Sequence, residues 1–165
     1  MKRTNLFSPI IRNASLALVC LALPCYAAQT TQSPTQADLL KQIQLYEDAC
    51  VLSLRAINGA QGIYWGGDQT KGYARTLREL GPSGAAILEP VIASGKKDGY
   101  RYRLVPERTV GTTPVRHYSL TATPIKWLSK NQRSFFTDES GIIRSTTQHR
   151  SATSADPPID SSSSK

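Results

Sequence analysis

The sequence predicts an α+β domain in which one long amphipathic helix near the amino end packs across a three- to four-stranded antiparallel sheet. Three observations carry this expectation. Apolar residues recur at spacings of three and four from Thr35 to Tyr64, the period of one helical face. From Gly99 onward the period changes to two, as in a half-buried strand. The alternating runs then follow one another with turn residues between them and no helical pattern, which describes an antiparallel meander rather than a parallel sheet.

In the helix, Leu39, Leu40, Ile43, Tyr46, Ala49, Cys50, Leu54, Ile57 and Ala60 form a stripe, with Tyr64 a turn further on. Gln42, Gln44, Glu47, Asp48, Ser53, Arg55 and Asn58 are expected largely on the opposite side. Thr35 can act as N-cap, and Asp38 three residues later suits a capping box and the positive end of the helix dipole. Gly59 and Gly62 weaken the far end, and Gly66-Gly67 stop it. Such a helix is on the order of 40 Å long, so its stripe needs a cover, which the downstream strands supply.

Ahead of the helix, residues 1–27 read as a secretory signal peptide. Lys2, Arg3 and Arg12 form a basic start, Ala14–Leu23 is an apolar run interrupted by Ser15 alone, and Cys25-Tyr26-Ala27 is a small-x-small cleavage site. The apolar run is too short to span a bilayer, which takes about 20 residues. Removing the signal leaves 17 basic against 12 acidic residues, a net charge of +5, and Cys50 as the one thiol, so no internal disulfide can form. Because Cys50 lies on the apolar stripe it reads as a small buried hydrophobe. Residues 28–34 are a polar linker. Residues 148–165, rich in Ser with Pro157-Pro158 and without apolar periodicity, are expected to be a disordered tail. The folded domain is then 35–147.

Between helix and sheet, Tyr73, Leu77 and Leu80 suggest a short helical piece ended by Gly81-Pro82. Residues 85–94 suggest another, with Gly95 where a left-handed residue follows a helix and Glu89-Pro90 as a kink. In the strands, Tyr100, Tyr102 and Leu104 face one way and Arg101, Arg103 and Val105 the other. Val115, His117, Ser119 and Thr121 alternate with Arg116, Tyr118, Leu120 and Ala122. Arg133–Thr137 passes through the turn Asp138-Glu139-Ser140-Gly141 into Ile142–Thr147.

Several phrases in this order resemble the globular part of type IV pilin-like proteins, including the pseudopilins of type II secretion. They are Leu54-Arg55-Ala56-Ile57-Asn58-Gly59-Ala60-Gln61, Gly72-Tyr73-Ala74, Leu80-Gly81-Pro82, Val91-Ile92-Ala93-Ser94-Gly95, Ala122-Thr123-Pro124 and the run Arg133–Arg144. The amino end departs from the family pattern. Leu6 stands where a Gly would precede the prepilin cut, Ile11 where a Glu would follow it, and the long apolar helix is missing. The resemblance implies a non-enzymatic structural or interaction module of the cell envelope, exported and soluble in the periplasm or outside the cell. Its expected partners are envelope or secretion-system proteins, or pilin-like subunits, and it meets the membrane only if the signal stays uncleaved.

No residue set suggests catalysis: nothing resembles a nucleophile elbow or a phosphate loop. Some pseudopilins bind calcium in a carboxy-terminal loop, which makes Asp138 and Glu139 the candidate ligands here. Their turn also fits a plain hairpin, and calcium wants six to eight oxygens, so no cofactor is expected. His117 and His149 lack the companions a metal site needs. Arg101, Arg103 and Arg116 are the candidates for the alternative function, a polyanion-binding accessory acting on DNA. Period two puts Arg101 and Arg103 on one face and the neighbouring tyrosines on the other, the pattern of a solvated sheet face.

Overall fold

The computed structural model describes residues 34–107 and 114–159. The signal peptide of 1–27, the linker up to Ser33, Arg108 and the last six residues lie outside the described residues. The fold is α+β: helix α1 (Gln36–Gly67), two single-turn helices α2 (Leu77–Leu80) and α3 (Pro90–Ala93), then a sheet of β1 (Lys96–Lys97), β2 (Tyr100–Pro106), β3 (Tyr118–Pro124), β4 (Ser134–Asp138) and β5 (Arg144–Thr146). The sheet is an antiparallel meander in chain order.

α1 starts as its sequence dictates. The Thr35 side chain accepts from the Asp38 amide at 3.2 Å, and Asp38 Oδ2 accepts from the Thr35 amide at 3.1 Å, which satisfies two amides that the helix leaves free. Its inward face buries Cys50, Leu54, Ile57 and Ala60 against Tyr100, Tyr102, Tyr118, Leu120, Ala122 and Phe135 of the sheet, and Ile43 is buried nearer its start. The strand alternation is the one expected for β2: Tyr100 and Tyr102 are buried, Arg101 and Arg103 exposed. In β3 it is Tyr118, Leu120 and Ala122 that turn inward.

Three expectations are corrected. The sheet has five strands rather than three or four, because Asp98-Gly99 folds Lys96–Lys97 back onto Tyr100–Arg101. Both turn residues have positive φ, 48° and 76°, as a two-residue hairpin turn whose twist matches its strands requires. The second helical piece begins at Pro90, not Ala85. Proline's fixed φ and missing N–H suit the first helical position, and Glu89 is the cap residue. Gly95, with φ of 79°, does follow that turn in the left-handed region.

The third correction concerns the tail. Residues 148–159 are folded against the sheet, so the domain runs past Thr147 to Ile159. Arg150 grips Asp156 with two nitrogens, at 2.8 and 2.6 Å. The Thr153 amide donates to Asp156 Oδ2 at 2.8 Å. The Ser145 amide donates to the Pro157 carbonyl and the Ile159 amide to the Ile143 carbonyl, at 3.1 and 2.9 Å. These bonds occupy the open edge of β5, where prolines without N–H groups are tolerated. Ser134 Oγ donates to the Arg150 carbonyl and Thr123 meets Ser151, so the segment also lies across the outer face of β3 and β4. It is polar in composition yet ordered, because Arg150 and Thr153 bond Asp156 within it and its backbone bonds to β5.

Candidate functional site

The residues expected to carry ligands are engaged within the protein. Asp138 Oδ1 accepts from the Ser140 amide at 3.0 Å and from its hydroxyl, while the Gly141 amide donates to the Asp138 carbonyl and Gly141 takes a φ of 73°. That is a side-chain-braced hairpin turn. Glu139 reaches across to His117 Nδ1 and accepts from the Tyr118 amide at 3.3 Å. The hydrogen bond and charge of Glu139 raise the His117 imidazole above its ordinary pKa. Among the described residues no three His, Cys, Asp or Glu side chains gather as a metal site would need.

The candidate polyanion residues divide. Arg101 and Arg103 are exposed on the outer face of β2, and the register sets Lys96 of β1 beside Arg101 on that face. Arg116 is elsewhere, its guanidinium lying over the Trp65 ring at 5.5 Å. Trp65 in turn tilts against Tyr73 at 4.5 Å, and Trp127 stacks on His149 at 4.4 Å, so both indoles close the margins of the fold. Cys50 is buried among the core side chains, and burial pushes its thiol pKa up, as for an inert hydrophobe.

Two features of α1 escape a one-stripe reading. The first is polar and inward. Glu47, assigned by period to the polar side, is 4% exposed. Its carboxylate accepts from the Arg133 amide and from Arg133 Nε, both at 2.7 Å. Ser53, assigned likewise, is buried and donates to the Ala49 carbonyl at 2.9 Å. Asn58 donates to Thr137 Oγ1 and accepts from the Tyr118 hydroxyl, at 2.9 and 3.0 Å. Gln61 brackets Ala74, donating to its carbonyl and accepting from its amide. Polar side chains therefore fasten α1 to the sheet and connector at set heights.

The second is apolar and outward. Leu45, Leu52 and Ile63 are 60, 64 and 63% exposed. At about 100° per residue they fall, with Ala49, Ala56 and Gly59, on the side of α1 opposite its buried stripe. Their spacing of four, three, four, three and four keeps them in line. Near Gly59 and Ile63 this stripe borders a groove whose other wall is Ile87, Leu88 and Ile92. The signal lay in the sequence, but the stronger inward stripe masked it. The helix is apolar on two opposite sides, one covered by the sheet and the other bare. A seam of exposed aliphatic side chains along a helix marks a contact surface rather than an ordinary solvent face. Among the described residues no helix is long and apolar enough to cross a membrane. Comparison with protein-family models, with curated proteins and with solved structures finds no match.

Proposed function

We propose that this chain is a non-enzymatic, pilin-like structural and interaction module of the cell envelope, exported and acting by protein–protein contact through the outward side of α1. The observation that carries this reading is the line of exposed aliphatic residues from Leu45 to Ile63, opposite the side that the sheet covers. A rigid helix braced along its length by Glu47, Asn58 and Gln61 suits contact rather than chemistry. The layout of a long helix followed by an antiparallel meander supports the pilin-like reading inferred from the phrases between Leu54 and Arg144. The alternative, polyanion binding, is less supported, because Arg116 lies over Trp65, away from the exposed face that Lys96, Arg101 and Arg103 share.

A photo-activated cross-linking residue placed at Leu52, in cells that make the protein, tests the reading. It is expected to form a discrete protein adduct, while the same group at Arg103 on the sheet forms none. Adducts at Arg103 and none at Leu52 would overturn it.

A further inference from the structure

The stretch Leu45–Ala56 of the outward stripe is self-complementary, and we propose that its occupant is the same stretch of a second copy, the two helices running antiparallel about a twofold axis level with Cys50 and Val51. This rests on reading the stripe as the contact surface. The spacing of four and three is the repeat that holds a seam against a partner helix. Size then selects the direction. With the helices reversed about that axis, Leu45 of one copy stands opposite Ala56 of the other and Leu52 opposite Ala49, so each leucine meets a methyl group, while Gly59 and Ile63 lie beyond this paired stretch, level with Gln42 and Asp38 of the other copy. In a parallel, in-register pair, leucine meets leucine and alanine meets alanine, and bulges alternate with gaps that forfeit contact.

Charge selects the same direction independently. One margin of the stripe carries Lys41, Asp48 and Arg55 at intervals of seven, and all three are exposed. The other margin passes into the covered side of α1 at Tyr46, Ser53 and Ala60, which are uncharged. An antiparallel pair lays like margins together, which brings Asp48 of one copy to Arg55 of the other, twice by symmetry. A parallel pair lays the charged margin against the uncharged one and forms neither ion pair. Among the described residues Asp48 accepts a neighbouring Gln44 amide, at 2.9 Å, and it remains open to solvent. The sheet lies on the far side of α1, and the stripe is flanked by Ile87, Leu88 and Ile92 near Ile63 and by Ile159 near Leu52. Rim charges of this kind set orientation more than affinity, and a paired stretch from Leu45 to Ala56, about 17 Å along the axis, makes a small interface, so the pairing is reversible and concentration-dependent.

Sedimentation equilibrium of the protein expressed from its full sequence, from about 1 µM to a few hundred µM, is expected to show a monomer–dimer equilibrium. Leu52→Glu weakens it at least tenfold. Asp48→Arg and Arg55→Asp each weaken it severalfold, and combining the two restores it, a rescue that misfolding does not mimic. Mixed under mild oxidation, Leu45→Cys and Ala56→Cys chains cross-link to each other in preference to themselves. A monomer over the whole range, failure of the charge swap to restore pairing, or Leu45→Cys bonding mainly to itself would overturn the proposal. A monomer that still forms Leu52 photo-adducts with a different protein overturns self-pairing and leaves the contact function standing. A monomer without adducts removes both.

Discussion

Replacing Glu47 with alanine is expected to lower the unfolding free energy by on the order of 3 kcal/mol or more, and Tm by roughly 10 °C. Glu47 is the acceptor for two donors of Arg133, the backbone amide and Nε. Its side chain is 5% exposed and that of Arg133 is 32%. Truncation removes the carboxylate and leaves an amide at the start of β4 without its partner, a desolvation cost that the folded state cannot recover. The guanidinium reaches solvent in part, which keeps the loss at the lower end of the range for buried pairs. Glu47→Gln retains an oxygen for the amide and loses the charge, so its effect is expected to be smaller. Chemical denaturation of the two variants, with Arg133→Ala beside them, separates the amide bond from the ion pair. Glu47→Ala within about 0.5 kcal/mol of the parent would mean that this pair does not fasten α1 to the sheet.

Ending the chain after Thr147 is expected to cost about 3 kcal/mol, although composition marks the removed segment as dispensable. The segment buries Ala152, and Ile159 packs on the core cluster. Partial burial of the Ile159 side chain contributes about 1 kcal/mol, and the paired nitrogens of Arg150 on Asp156 add charge-assisted bonds. Those bonds, with the Thr153 amide, hold the Asp156 carboxyl well below the usual carboxylate range. Removal also bares the β5 edge, which pairs with Pro157 and Ile159 through their backbone, and part of the outer face around Ser134. Lower Tm and faster amide exchange at Arg144–Thr146 are the expected readouts. A truncated chain as stable as the parent would show that the segment only rests on the surface.

Much of the fold was legible because its signals are local. The Thr35–Asp38 capping box, the Gly66-Gly67 stop and the alternation of Tyr100, Arg101, Tyr102 and Arg103 each follow from neighbours in the chain. What was missed depends on distance in sequence. Glu47 reads as a solvent residue until Arg133, far along the chain, is placed beside it. The carboxy-terminal segment reads as disordered because polarity counts against it, while Arg150–Asp156 and the backbone of β5 stabilise it. Asp98-Gly99 was a readable hairpin signal whose partner strand, Lys96–Lys97, is too short and too charged to register as one. At the candidate surface, Leu45, Leu52 and Ile63 were visible in the sequence, but two apolar sides at once blur the single-sided pattern that amphipathicity looks for. Only the burial of one side tells the two apart.

The opposition of those two sides is tested most directly by the unfolding free energy of Leu52→Glu, measured at concentrations low enough to keep the protein dissociated. The account predicts a value within about 0.5 kcal/mol of the parent, where truncating the inward-facing Leu54 costs about 2–5 kcal/mol. A loss of several kcal/mol from Leu52→Glu would place that side chain inside the fold and contradict an open contact face on α1.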